Sequence, residues 1–168
     1  MTIAQSLLGE FDHEMENTRR VLERVPLDRA DWKPHPKSFS LGILAIHTAE
    51  LAQWAAVTIN QSELDFSPED GQKVVRDAAD TSEELMALFE RNRAEGRTAL
   101  EGASDATMMG TWTLKNAGQV IFSMPRVAVL RGFVMNHMIH HRGQLTVYLR
   151  LNDIAVPGIY GPSADEPM

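Results

Sequence analysis

The sequence predicts an all-α protein, a four-helix bundle with long connections between its helices. Four stretches carry apolar residues every three or four positions, the spacing of an amphipathic helix. The segments between them are polar and contain prolines and glycines, and such long connections allow topologies other than simple up-down-up-down. The chain has 168 residues, of which 43% are hydrophobic. This length suits a single domain over residues 1–168 with a sizeable core.

The first predicted helix spans residues 3–25. Its apolar stripe consists of Leu7, Leu8, Phe11, Met15, Thr18, Leu22 and Val25. Pro26 ends the helix, since proline cannot continue the backbone hydrogen-bond ladder. His13 lies roughly opposite Phe11 on the helical wheel, so we expect it at the surface.

An ordered connection over residues 26–40 precedes the second helix. It contains three prolines, yet Trp32 and Phe39 have apolar bulk to bury. His35 lies between two prolines, and we expect it to be exposed.

The second helix is predicted over residues 41–59, with Ser40 as its N-cap. Its inner stripe consists of Ile43, Leu44, His47, Leu51, Trp54 and Thr58. His47 is therefore the one histidine outside the fourth helix that is predicted to face the core.

Residues 60–80 are polar, contain Pro68 and Gly71, and are predicted to form a loop. The third helix begins near Thr81, because Thr81-x-x-Glu84 matches the capping box, and it ends at Gly102. Residues 101–122 give no clear pattern, although residues 111–114 alternate as a short strand does.

The fourth helix is predicted to start with Ser123 as its cap and Pro125 in its first turn. It continues to about Leu151, and a turn-rich tail follows.

Three of the six histidines lie in the fourth helix, within the sequence NHMIHHRGQL. His137 and His141 are one turn apart and about 40° apart around the helix, so they share its inner face. His140 lies at the edge of that face, which favours a role in lining or supporting the site. With His47 from the second helix, the pair supplies three inward imidazoles.

Three inward imidazoles predict a site for a divalent metal ion with His47, His137 and His141 as its ligands. Imidazole suits Zn, Ni, Cu and Fe alike, so the ligands do not name the metal. Three protein ligands leave a coordination position open, as catalytic zinc sites do. A metal there would lower the pKa of a bound water or thiol.

Several other residues near this face have two interpretations each. A single inward histidine is more often an ordinary core residue than a ligand. Glu50 is on the side of His47 and is either a base near the site or half of an outward salt bridge. Gln144 either orients a ligand or closes the core, and Arg142 is predicted to lie at the surface or in a dimer interface. Ile139 is on the outer side of the helix, which hints at a dimer contact.

Charge and composition exclude several classes of function. The net charge is −7 without a basic patch, which disfavours nucleic-acid binding. No apolar run approaches the length of a membrane span, and no secretory signal is visible, so we expect a cytoplasmic protein. The chain has no cysteine, so any thiol chemistry needs a thiol from outside.

Three motifs in order resemble the DinB family, the DinB/YfiT-like metal-binding four-helix bundles. The motifs are WKPHPKSFSLGILAIHTAEL around His47, NHMIHHRGQL around His137 and His141, and PGIYGPS after the last helix. The resemblance implies one divalent ion, nickel or zinc, held by these three histidines in a homodimer. Some relatives transfer or isomerise substrates with low-molecular-weight thiols.

The leading functional prediction is a metal-dependent enzyme that acts on a small molecule by thiol S-transfer or hydrolysis. One alternative is a non-catalytic metal- or ligand-binding protein related to stress. Another is a structural bundle whose histidines are core residues. The sequence does not identify a catalytic residue.

Overall fold

The computed structural model describes residues 1–67 and 78–167. Most of the regular structure is helical, as predicted. The α-helices are α1 (Ile3–Leu22), α2 (Leu41–Glu50), α3 (Trp54–Asn60), α4 (Ser82–Gly102), α5 (Asp105–Met109), α6 (Arg126–Val129) and α7 (Asn136–Leu151). A 3-10 turn, Leu27–Arg29, follows α1, and a π-helical turn, Leu130–Met135, joins α6 to α7. None of the helices in the described part of the chain has the length and hydropathy needed to cross a membrane.

Side-chain caps fix the starts of the long helices. Ser40 accepts a hydrogen bond from the backbone N–H of Ile43 at the start of α2. Thr81 and Glu84 form a reciprocal capping box at the start of α4, which satisfies backbone donors that have no partner within the helix. The predicted caps Ser40 and Thr81 are therefore confirmed, as is the end of α4 at Gly102.

The second predicted helix is interrupted. Residues 51–53 form a turn between α2 and α3, so residues 41–59 form two helices rather than one. Leu44 and Thr58 are buried as predicted, but Ile43 is 44% exposed, and its assignment to the inner stripe was wrong.

A three-stranded sheet corrects the all-α prediction. Its strands are β1 (Glu63–Asp65), β2 (Thr111–Asn116) and β3 (Gln119–Pro125), in the order β1-β2-β3. β1 is parallel to β2, and β3 is antiparallel to it. β1 falls within the predicted loop of residues 60–80, whereas Pro68 and Gly71 of that loop lie outside the described residues. The alternation of residues 111–114 is confirmed as part of β2.

The two-residue turn between β2 and β3 consists of Ala117 and Gly118, which both have positive φ, as type I′ hairpin turns require. The carboxylate of Asp65 accepts hydrogen bonds from both of their backbone N–H groups, at 3.0 and 2.8 Å. These bonds attach the end of β1 to the hairpin.

The predicted start of the fourth helix was also wrong. Ser123 lies within β3, where its hydroxyl is 3.0 Å from that of Thr113 on β2. The helix begins three residues later, at Arg126, after Pro125 has ended the strand. Proline is tolerated there because β3 is an edge strand, which does not need every backbone donor.

The helices pack in a way that brings the face of α7 with the histidines against α2. Both α1 and α2 contact α4 and α7, and α3 contacts α4. Their shared core is closely packed, with Phe11, Met15, Leu44, Leu85, Phe89 and Leu145 at 0–1% exposure. The sheet has a smaller apolar cluster of its own around Trp112, Leu114 and Val129.

Candidate metal centre

His47, His137 and His141 meet between α2 and α7. The Nε2 atoms of His137 and His141 are 2.8 Å apart. The ring of His47 is 5.2 Å from that of His137 and 4.8 Å from that of His141, measured between centroids. One nitrogen from each residue lies within 4.8 Å of the other two. The structure thus brings together the three histidines that the sequence singled out.

Two features of the helical chain create this arrangement. The spacing of four residues on α7 places His137 and His141 one above the other, and packing of α2 on α7 supplies His47 from the opposite side. The π-helical turn ends at Met135, directly before α7, and such turns are frequent at functional sites.

The three histidines are only partly buried, so the group that they form is open on one side. His141 is 8% exposed, whereas His47 and His137 are half-buried. Two imidazoles therefore remain accessible to a small molecule while the third is enclosed by protein.

Gln144 sets the orientation of His141. Its amide oxygen is 2.7 Å from Nδ1 of His141, and because an amide oxygen only accepts, we assign the proton to Nδ1. The lone pair on Nε2 of His141 then faces His137. Nδ1 of His137 is buried without a hydrogen-bond partner. Gln144 thus contacts a predicted metal ligand, as its possible role in orienting a ligand requires.

The pKa values of His137 and His141 favour neutral imidazoles. Burial lowers the pKa of His137 to about 4, and the neighbouring His141 and His47 add to the effect. The backbone of Phe133 acts in the opposite direction and raises the pKa of His137. Burial also lowers the pKa of His141, although its bond to Gln144 acts in the opposite direction.

The geometry of the three histidines fits a bound divalent ion. Histidine nitrogens lie about 2.0–2.1 Å from zinc, so two nitrogens on one ion are at most about 4 Å apart. The 2.8 Å between the Nε2 atoms of His137 and His141 satisfies this limit. The whole group spans up to 4.8 Å, so an ion bound to all three would draw the nitrogen of His47 closer to the other two. Three neutral imidazoles also suit borderline metals such as zinc and nickel.

Two further polar residues lie beside the three histidines. The Oε2 atom of Glu50 is 3.8 Å from Nδ1 of His47, and the two side chains are 15% and 17% exposed. Glu50 therefore lies on the side of the site, as one of its two interpretations required. His140 is exposed, and its ring packs at 5.0 Å against the ring of His141. This place agrees with its predicted position at the edge of the inner face.

Arg142 contradicts its predicted surface position. Its side chain is 2% exposed and pairs with Glu14, whose Oε2 atom is 2.6 Å from Nη2. The hydroxyl of Tyr160, in the C-terminal tail, donates to the same carboxylate at 2.7 Å. Arg142 does point away from the metal-binding face, but α1 and the tail cover that side of α7.

The buried partner Glu14 was missed by the sequence analysis. It lies three residues after Phe11 and next to Met15, so its place beside the apolar stripe was the available signal.

The outer residue Ile139 is half-buried and lines a cavity of about 370 Å³ between α7 and the tail. His13 and His35 are exposed, as predicted.

Comparison with known proteins supports a single assignment. The sequence model of the DinB family matches residues 1–167. The chain is similar to crystal structures of two DinB-like proteins at 20% identity. YjoA from Bacillus subtilis gives a TM-score of 0.68, covering 89% of this chain and 94% of YjoA. A protein from Bacillus cereus ATCC 10987 gives 0.69, covering 93% and 97%.

One curated relative matches over a short stretch. YrdA, an uncharacterized protein of Bacillus subtilis (strain 168), is 49% identical over 43 residues. This stretch is 26% of the present chain and 25% of YrdA. The match therefore spans about a quarter of either protein.

Proposed function

We propose that this chain, which belongs to the DinB family, is a metal-dependent enzyme acting on a small molecule. Its family membership and the three imidazoles that its fold brings together support this proposal. His47, His137 and His141 hold one divalent ion, nickel or zinc. The reaction is S-transfer from a low-molecular-weight thiol or a hydrolysis. The observation that carries the proposal is the group of three imidazole nitrogens within 4.8 Å on a partly open face.

The protein side chains prepare the site for the ion. When bound, the ion acts as a Lewis acid that lowers the pKa of a water or thiol, which yields a nucleophile near neutral pH. Because the pKa of His137 is about 4, its imidazole is already neutral at pH 7 and does not have to lose a proton on binding.

Hydrogen bonds and charge around the imidazoles select their tautomers. Gln144 keeps the proton of His141 on Nδ1 and leaves Nε2 for the ion. The carboxylate of Glu50, 3.8 Å from Nδ1 of His47, favours the same tautomer there. Since the chain has no cysteine, the sulfur of any S-transfer comes from a separate thiol.

Elemental analysis of the purified protein tests the metal site. We expect one nickel or zinc ion per chain in the wild type, less than a tenth of that in His141→Ala, and wild-type content in His13→Ala. His13 is the matched control because it is an exposed histidine outside the group of three. Equal metal content in both variants would contradict the assignment of His141.

The response to chelators provides an independent measurement. A ligand present at 100 times its dissociation constant stabilises the folded protein by about 2.7 kcal/mol. Removing the ion should therefore lower the melting temperature of the wild type and leave His141→Ala unchanged. An unchanged wild type, even after loading with Zn²⁺ and Ni²⁺, would favour histidines that serve only as core residues.

Activity assays on the metal-loaded protein separate the enzyme from the non-catalytic alternative. A panel of thiol-acceptor and hydrolase substrates should reveal turnover that is lost in His47→Ala. Turnover that persists in that variant would contradict a metal-centred mechanism. Bound metal without turnover on any substrate would favour the stress-related binding protein.

We also propose that the chain is one four-helix bundle domain of the DinB/YfiT type and forms a homodimer in the cytoplasm. Support for a dimer comes from the family resemblance and from Val147 and Leu151, which are both 56% exposed and lie one turn apart on α7. Light scattering should give twice the chain mass of 18.7 kDa. A monomer mass at micromolar concentration would contradict the dimer.

A further inference from the structure

Aromatic rings form one side of the group of three histidines. Trp54, the first residue of α3, lies 6.2 Å from His47 and 6.0 Å from His137 between ring centroids. Phe133, in the π-helical turn, lies 5.1 Å from Trp54 and 5.7 Å from His137. Phe66 follows β1 and lies 5.7 Å from Trp54. We call Trp54, Phe66 and Phe133 the aromatic wall.

The rings of the aromatic wall differ in burial from those of the core. Phe11, Phe89 and Trp112 are at most 1% exposed, whereas all three rings of the wall remain partly exposed. An aromatic ring gains free energy from complete burial. Rings that stay partly accessible next to polar imidazoles are therefore available to contact a molecule bound at the metal site.

The small sheet supports the wall from behind. Phe122 of β3 lies 5.2 Å from Phe133, and Trp112 of β2 lies 6.0 Å from Phe122. Trp112 is 1% exposed, so the support belongs to the packed interior of the sheet. Phe133 is thus held in place by other rings, and a ligand meets a surface that is already ordered.

We infer that the substrate carries an aromatic ring next to the atom that binds the metal, and that Trp54 and Phe133 determine this specificity. The inference rests on the proposed metal site and specifies the class of its substrate. Offset or edge contacts between rings add about two- to twelve-fold in affinity beyond the burial of apolar area. Aromatic faces also attract cations, but a cationic group here would be repelled by the divalent ion.

Two hydroxamates that share a metal-binding group test the inference. Acetohydroxamate carries a methyl group where benzohydroxamate carries a phenyl ring, so the ratio of their dissociation constants reports on the surroundings of the ion. Calorimetric titration of the nickel- or zinc-loaded wild type should give at least about tenfold tighter binding of benzohydroxamate.

Variants of the wall locate the source of this preference. Trp54→Leu and Phe133→Leu should reduce the ratio to about threefold or less, whereas Trp54→Phe keeps a ring and should retain most of it. The metal content of each variant is measured first, so that a lost ion is not mistaken for a lost ring contact. Comparable ratios in the wild type and both leucine variants would overturn the inference.

The same titrations distinguish this inference from the proposed function. If the wild type binds metal and both hydroxamates with equal affinity, the metal site stands and the aromatic specificity is wrong. If the wild type binds no metal and neither hydroxamate, the proposed function fails and the inference fails with it.

Discussion

Removal of the Glu14 carboxylate should destabilise the protein strongly, because it leaves a charged guanidinium buried without its partner. The side chains of Arg142 and Glu14 are only 2% and 7% exposed. Arg142 also donates to the backbone carbonyl of Glu14 at 3.0 Å and to the hydroxyl of Thr18 at 3.2 Å. These bonds remain in Glu14→Ala, but they do not neutralise the charge.

The expected loss of stability is large for a single substitution. Breaking a buried ion pair on one side costs about 3–5 kcal/mol. For a chain of this length, each kcal/mol corresponds to about 2–4 °C. Glu14→Ala should therefore lower the melting temperature of the metal-free protein by about 6–20 °C. Urea unfolding should show a lower midpoint with an unchanged slope.

Glu16→Ala is the matched control for this substitution. Glu16 lies on the same helix, and its side chain is 45% exposed where it pairs with Arg19. Exposed pairs contribute about 0–1 kcal/mol, so this variant should melt close to the wild type. Equal effects of the two substitutions would refute the claim that the buried charge dominates.

A double-mutant cycle isolates the pair itself. Replacement of both partners by methionine removes the charge together with its partner, and such replacements are often neutral or stabilising. We expect Glu14→Met with Arg142→Met to be more stable than either single variant. A double variant at least as unstable as the sum of the two singles would show that packing, rather than the unpaired charge, accounts for the loss.

Three further predictions concern the site and its support. Gln144→Leu should weaken metal binding about 10- to 100-fold in a chelator competition assay, whereas Gln119→Leu, at the exposed start of β3, should not. In the metal-free protein, the pKa of about 4 for His137 keeps it neutral when folded, while the unfolded residue protonates near pH 6.5. The free energy of unfolding, measured by urea titration, should therefore have its full value above about pH 6.5 and decrease as the pH falls towards about 4. This decrease should be less steep in His137→Gln. Gly96→Ala would place a Cβ 2.5 Å from a carbonyl oxygen of the turn after α2 and should cost about 1–3 kcal/mol. Gly102→Ala, which has open space around it, should melt at or above the wild-type temperature.

The features that the sequence predicted correctly are local ones. The caps at Ser40 and Thr81 depend on bonds to a backbone N–H three residues away. The pairing of His137 and His141 on one face depends only on the pitch of a helix. His47 could be assigned to the same site because the helical spacing of apolar residues in α2 is regular up to that residue.

The features that it missed depend on partners distant in the chain. β1 pairs with β2 across a separation of about fifty residues, and its three residues carry no periodicity of their own. Ile43 lies one turn before His47 on the same side of α2, yet it is 44% exposed, because spacing along one helix does not show how far a neighbouring element covers its face. Ser123 and Pro125 match the end of an edge strand as well as they match the start of a helix.

Arg142 shows why a helical wheel alone could not define the interior. The wheel places it on the side of α7 away from His137, which is correct, and exposure was inferred from that. The opposite side of α7 is covered by α1 and by the irregular tail, where Tyr160 bonds to Glu14. An irregular segment has no period from which its position could be predicted.

The position of Arg142 also connects the C-terminal tail to the histidines of α7. His141 and Arg142 are consecutive in α7, so one rigid helix carries an imidazole on one face and the buried guanidinium on the other. A rotation of α7 that moved Arg142 away from Glu14 would turn His141 away from His47 by the same angle. The tail, through Tyr160, holds the pair in place from outside. Through Tyr160, the segment PGIYGPS therefore supports the orientation of α7 that places His141 beside His47.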